Sequence, residues 1–243
     1  MQRNIPGAMA AVGGLGSESK MPHGVLSWGF SREHCIRGRE LAKKMGTICR
    51  VCYGGTGNFR FANVKAAQER RLNAYLDDPE EWAGNMAYLI RHVSPDYFRW
   101  FSVGDLRDEL MLAVIADVAK HTRKTKHWLP THEAELVENF GQKLPGNLVI
   151  RVSADYIEDW PDSDWPTQHT VHRWPGEPVP ARSGDRRHSV ECLSYTRGNN
   201  CGSCRACWEP RVRNTSLLLH GPGAPKHKKK LLPVHPNNHF CEA

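Results

Sequence analysis

At 243 residues, with 24 % charged residues and 40 % in the AVILMFWYC set, the chain has the composition of a globular protein large enough to bury a substantial core. No apolar run approaches the roughly 20 residues that span a bilayer. Arg3 followed by the short stretch 8–12 is too brief and glycine-broken for a secretory leader, so no membrane partner and a cytoplasmic location are expected. The formal charge of +7 is uneven: the tail 221–243 sets Lys226, Lys228, Lys229 and Lys230 against the single Glu242. That composition reads as a basic disordered tail, and its sharper reading is a partner surface for nucleic acid through counterion release at phosphates.

In chain order, residues 1–20 are rich in Gly, Ala and Ser without a sustained period and are expected to be mobile. Residues 21–31 read as an ordered loop. Ser31 then reads as an N-cap with Glu33 in the first turn, opening a helix that holds Cys35 and runs to about Met45. The glycines in Tyr53-Gly54-Gly55-Thr56-Gly57 predict a tight loop able to fold over a cofactor. Helices are expected over about 63–76, with Val64, Ala67, Leu72 and Tyr75 on one face, and from Pro79, with Trp82, Met86, Leu89 and Ile90 at core spacing. The pattern then becomes strand 97–102, helix 106–121 with Leu110, Val114, Ile115 and Val118 inward, strand 126–129, helix 133–142 and strand 148–153. This βαβαβ order with short connections implies an α/β fold with a parallel sheet, either an open sheet or a partial βα barrel. Residues 160–184 are loop-rich, with a strand over 167–172. His169 and His172, three apart on a strand, face opposite sides. The expected layout is a mobile 1–20, an α/β core over 21–185, a loop-rich cysteine region over 186–220 and the tail.

Two groups of cysteines carry the chemistry. The C-terminal one is Cys192-x8-Cys201-x2-Cys204-x2-Cys207. Three cysteines at every third position let one short loop wrap a cuboidal cluster, as iron–sulfur ferredoxin motifs do, with a fourth thiolate from elsewhere. Zinc also accepts four thiolates, though usually from two Cys-x2-Cys knuckles, and a disulfide is the third alternative. In a reducing compartment clustered cysteines read as metal ligands. The N-terminal group is Cys35-x13-Cys49-x2-Cys52, three cysteines and not four. Three thiolates on a [4Fe–4S] cluster leave one position open, the general mark of a reactive site. His23 or another cysteine is a candidate to fill it, and Cys192, eight residues off its run, is a candidate for either group. Cys241 reads as a spare thiol. Functional groups of parallel sheets gather at the C-terminal ends of strands, here Ser102, Gly104 and Asp105, then Thr131, His132 and Glu133, then Ser153, Ala154 and Asp155. Helix capping alone accounts for such residues too.

Several segments together resemble an uncharacterised bacteriophage family, the gene-eighty-eight products. These are Ser19-Lys20-Met21-Pro22, Cys49-x-x-Cys52-Tyr53 with Gly57-Asn58-Phe59-Arg60-Phe61, Phe98-Arg99-Trp100 with Gly104-Asp105-Leu106, Trp128-Leu129-Pro130-Thr131, Arg151-Val152-Ser153-Ala154, and Asn200-Cys201-Gly202-x-Cys204-Arg205-x-Cys207-Trp208. The resemblance covers most of 19–220 and implies a layout and, if phage-encoded, the host cytoplasm; it implies no activity. The layout is also similar to radical S-adenosylmethionine enzymes, whose three cysteines usually follow Cys-x3-Cys-x2-Cys; here the first gap is 13 residues. That similarity implies one or two [4Fe–4S] clusters, S-adenosylmethionine bound by Ser102, Gly104, Asp105, Thr131 and Ser153, an electron donor as partner, and an auxiliary cluster at the C-terminal group. The alternatives are a non-catalytic iron–sulfur protein, redox-active or associated with nucleic acid, and a structural zinc protein.

Overall fold

In the computed structural model, residues 3–17, 21–22, 24–179, 189–221 and 224–225 are described. His23, Cys241 and the tail lysines on which the nucleic-acid expectation rests lie outside them.

The chain builds one eight-stranded open sheet. Its strands are β1 (Gly16–Ser17), β2 (Leu26–Trp28), β3 (Tyr97–Trp100), β4 (Lys126–Thr131), β5 (Leu148–Ser153), β6 (Gln168–His172), β7 (Ser189–Glu191) and β8 (Asn214–Leu218), in the spatial order β1-β2-β3-β4-β5-β6-β8-β7. Every neighbouring pair is parallel except β1–β2. The central βαβαβ therefore stands as expected, and the sheet does not close into a barrel. The helices are α1 (Ile5–Ala11), α2 (Ile36–Leu41), α3 (Ala62–Asp77), α4 (Pro79–Val93), α5 (Glu109–His121) and α6 (Ala134–Glu138).

Local chemistry sets most boundaries. Asp78 caps α4 by accepting from Glu81 N at 2.9 Å, with Pro79 behind it, and Asp108 caps α5 by accepting from Met111 N at 2.8 Å. Five expectations need correction. The start is not mobile throughout: Asn4 caps α1, and Ala8 and Val12 are buried against the helical layer. The loop over 21–31 contains β2, a strand too short to show an alternating pattern. Its start is held by Ser94 Oγ, which accepts from Leu26 N at 3.1 Å. The helix through Cys35 is broken at that residue. Leu110 is exposed, and α5 buries Met111, Leu112, Ile115 and Val118 instead. α6 stops at Glu138, well short of 142.

The two faces of the sheet are covered differently. Phe98, Trp100, Leu129, Leu148 and Ile150 pack under the helices in the main core, where Trp28 meets Trp82 at 4.9 Å between ring centroids. Alternation along each strand sends Tyr97, Arg99, Trp128, Arg151 and Ser153 to the opposite face. The segment 192–212, with its 3-10 turn Ala206–Trp208, lies on that face, joined by Trp208 packed on Trp128 and by Arg151. The segment 189–218 is thus joined to the same sheet as the core, through β7 and β8. No helix among the described residues is long and apolar enough to cross a membrane.

Candidate metal centres

The N-terminal cysteine group is assembled where β2, β3, β4 and β5 end. Ser31 Oγ accepts from Glu33 N at 3.3 Å and caps only a single 3-10 turn. Cys35 follows with extended backbone (φ −64°, ψ 130°), and α2 starts one residue later. That break turns the thiol inward onto the first turn of α2. Gly38 leaves the room: a Cβ there would stand 3.0 Å from Cys35 Cβ, 3.6 Å from Cys49 Sγ and 3.7 Å from Cys35 Sγ. Both sulfurs therefore lie against the same glycine.

Cys49 and Cys52 sit at either end of another 3-10 turn, with Cys52 N donating to Cys49 O at 3.3 Å. Thr47 orders the approach to it: its Oγ1 donates to Leu41 O at 2.6 Å and accepts from Arg50 N at 3.3 Å. Ile48 N donates to Asp155 O at 2.9 Å, which ties the loop to the end of β5.

Charged groups crowd this edge. Asp105, fully buried, accepts from Leu106 N at 2.8 Å, Thr131 Oγ1 at 2.5 Å and His132 N at 2.9 Å, and burial pushes its carboxyl up. Burial alone would also raise Asp155. Hydrogen bonds from His132 and from Arg37, whose Nη2 approaches at 2.5 Å, outweigh it and hold this carboxyl below its ordinary range. Burial opposes a charge on His132, but its hydrogen bonds to Asp155 and Cys49 win and raise it well above the usual imidazole value. A chain of Arg37, Asp155, His132 and Cys49 results. Burial, reinforced by Asp105 and the two neighbouring thiols, pushes the Cys35 thiol far up, and burial raises Cys52 as well.

The residues expected to hold a cofactor divide into two places. Ser102, Gly104, Asp105 and Thr131 do meet at this edge, but largely as scaffold. Ser102 O accepts from Tyr53 OH, and Thr131 spends its hydroxyl on Asp105. Gly104 (φ +96°) lies with its Cβ position 3.0 Å from Phe30 O, so a side chain there would be strained and crowded. Phe101 holds φ +49°, rare for a bulky residue, where the chain leaves β3 for this turn. Ser153 stands apart on the opposite face.

The C-terminal group lies over that face. Cys192 N donates to Ser216 O at 2.8 Å, continuing β7 beside β8, and the Cys192 Sγ is 3.3 Å from Ser194 Oγ. Cys192 lies near enough to Cys201 and Cys207 to act electrostatically on both. Cys201 Sγ is 4.0 Å from Met21 Sδ. Cys207 is packed with Val25, Trp128 and Trp208, and burial together with Cys192 pushes its thiol up to about 12. Cys204 packs on Val190, Ala206 and Val212 and is disulfide-bonded, so it becomes a thiolate ligand only on reduction.

Arg151 organises the segment beneath the cysteines. Its five N–H donors are all spent on backbone carbonyls: Nε on Cys207 (2.9 Å), Nη1 on Gln168 (3.3 Å) and Val212 (3.0 Å), Nη2 on Ala206 (2.8 Å) and Glu209 (3.0 Å). Burial lowers this guanidinium to about 10, and none of its hydrogen bonds goes to a carboxylate. Arg99 lies over Trp128, 4.8 Å from the ring centroid, and its Nη2 donates to Tyr53 OH at 3.1 Å. Tyr53 follows Cys52 directly, and Trp208 follows Cys207. The contacts Tyr53–Arg99–Trp128–Trp208 thus run continuously from one cysteine group to the other.

Among the described residues no group of three or more His, Cys, Asp or Glu side chains is arranged to hold a metal ion as it stands, so ligation at either group requires the thiols to draw in. The donor chemistry suits such a centre. Buried thiols held protonated become stable anions beside a cation. Several thiolates around one metal core also leave net negative charge, which Arg99 and Arg151 face at Cys201 and Cys207. Sequence reasoning placed the cysteines but not Arg37, Arg99, Arg151 or Asp155 as their partners. Only Asp155 and His132 carried a signal, as polar residues at strand ends.

No curated protein and no solved structure matches the chain. The family model for Gene product 88 matches residues 12–210, a span that includes both cysteine groups and the sheet between them. The chain belongs to the Gene product 88 family, the bacteriophage family that its motifs resemble.

Proposed function

We propose that this protein is an iron–sulfur protein with two cysteine-ligated centres. Cys35, Cys49 and Cys52 hold a [4Fe–4S] cluster with one open position, and Cys192, Cys201, Cys204 and Cys207 hold a complete one. The observation that carries the reading is the convergence of three thiols from two separate segments, Cys35 from one and Cys49 with Cys52 from the other, at the C-terminal edge of parallel strands, where ligand sites of such sheets lie. Bound there, a cluster supplies an open metal position and an exchangeable electron. The chain supplies the rest. His132 donates to Cys49 and is itself oriented by Asp155, the kind of outer hydrogen bond that tunes a metal ligand. Arg37 fixes Asp155 in turn. Trp208 and Trp128 keep water from the C-terminal centre, which is cast as stabilising or electron-relaying. S-adenosylmethionine at the open position, with an external electron donor, is the enzymatic form of this reading.

One observation favours a second reading. Cys49, His132 and Asp155 are hydrogen-bonded in series, the order that activates a thiol nucleophile. Raised thiols at Cys35 and Cys52 have no part in that chemistry, and this ranks it second.

Metal and acid-labile sulfide analysis of protein purified without oxygen decides between them. We expect brown protein with iron and sulfide, with about half of each lost in Cys35→Ser and in Cys192→Ser separately. Colourless protein containing zinc would replace the proposal by structural zinc sites. Metal-free protein in which iodoacetamide alkylates Cys49 at neutral pH, and no longer does so in His132→Gln, would establish the nucleophile. Reduced protein that yields no 5′-deoxyadenosine from S-adenosylmethionine removes the radical chemistry alone.

A further inference from the structure

Across the face that carries the C-terminal cysteines, three adjacent parallel strands set polar side chains in one row. Ser153 on β5 is in register with His169 on β6, and His169 with Thr215 on β8. Register partners in a sheet share a face, and neighbouring strands are about 4.8 Å apart, so the row spans roughly 10 Å. Ser153 and Thr215 are buried. Both ring nitrogens of His169 and the hydroxyl of Thr215 are shielded from solvent and have no hydrogen-bond partner among the described residues. Each such group destabilises the fold when left unpaired, because its hydration is lost and nothing replaces it. Three unpaired atoms on two neighbouring side chains therefore mark a place where something else completes the bonding.

The surroundings state the charge of the occupant. Burial holds His169 neutral, lowering it to about 3, and Arg151, His132, Arg99 and His220 all act on it in the same direction. Neutral imidazole offers one donor and one acceptor, and the flanking hydroxyls offer both. Arg151 has spent its hydrogen bonds on carbonyls but keeps its charge. The surroundings of His169 are thus electropositive, with Arg151, His132 and Arg99 all near enough to act on it.

We propose that Ser153, His169 and Thr215 form a binding site for a small organic anion, its carboxylate or phosphate oxygens held on the Arg99 side and its polar body along the row. This assignment does not depend on which metal the cysteines hold. It places the ligand between the two cysteine groups.

The test is equilibrium dialysis of the full chain, as purified, against labelled inorganic phosphate and separately against labelled succinate, with chloride added to constant ionic strength. We expect saturable binding of one of the two anions, and which one binds distinguishes a phosphate from a carboxylate ligand. Thr215→Val, an isosteric change, and His169→Gln are each expected to weaken it about tenfold, the loss of one hydrogen bond to a charged group. Metal content, measured on the same samples, is expected to stay unchanged. Binding of neither anion overturns the proposal. So does binding that is equal in wild type and both variants, which would place the anion elsewhere.

Discussion

The two cysteine groups are built in opposite ways on one sheet. The group of Cys35, Cys49 and Cys52 stands at the strand ends among carboxylates and a charged histidine, on three short turns and one broken helix. The group of Cys192, Cys201, Cys204 and Cys207 lies flat on the sheet, under tryptophans and over two guanidinium groups. The first environment supplies proton donors and acceptors at Asp105, His132, Glu133 and Asp155. The second supplies charge compensation and dryness. A polar edge suits the reactive centre proposed above, and an aromatic layer suits the supporting one. Tyr53 and Arg99 join them, so neither group is independent of the other's position.

The comparison breaks most readily at Arg151. Arg151→Leu leaves five buried carbonyls without their donor, so we predict a loss on the order of 4 kcal/mol or more in denaturant unfolding. The C-terminal centre should be lost first and the N-terminal one kept. A loss below about 1 kcal/mol would show that the segment 206–212 is held by something else. An intermediate effect tests the sheet that both groups share. His127 is buried against Trp100 on the helical face, its Nε2 2.8 Å from Thr122 Oγ1, and burial lowers it to about 3. An unfolded histidine titrates near 6.5, so below that pH the unfolded chain takes a proton that the native one refuses. Stability contributed by His127 is therefore complete at neutral pH and falls as pH drops from about 6.5 towards 3. We expect about 2 kcal/mol less from this residue at pH 5 than at pH 7, a dependence that His127→Gln should flatten in urea titrations at the two pH values. An unchanged slope would assign the acid sensitivity to other groups. The smallest effect is expected at Tyr53→Phe. It removes the hydroxyl between Arg99 and Ser102, costing about 1 kcal/mol in thermal unfolding while both centres keep their metal. Loss of metal from both would make the bridge a requirement rather than a brace.

Much of the framework was legible along the chain. β5 is a continuous apolar run with one arginine, α4 opens on Asp78-Pro79, and α5 opens on Asp108, signals that act within a few residues. What failed was of two kinds. β2 is three residues long and α1 seven, too short for a period to show; both are held by partners at distant positions, Ser94 and β3 for the one and the helical layer for the other. Cys35 and Leu110 failed for a different reason. A helical reading cannot see that Cys35 must face Cys49, or that the core lies under Met111 and Leu112 rather than Leu110.

The same division holds for the site. Cysteine spacing by itself separated two groups, Cys35 with Cys49 and Cys52, and Cys201 with Cys204 and Cys207, and left Cys192 open to either, because thiols that share a centre from one loop must be close in sequence. Only the tertiary structure brought Cys192 near Cys201 and Cys207, set Arg151 and Arg99 by that group, and linked Asp155 to Cys49 through His132. It alone also brought Ser153, His169 and Thr215 into one row. These partners come from different strands, and their meeting depends on strand order and register, quantities set by the packing of the whole sheet and carried by no local pattern.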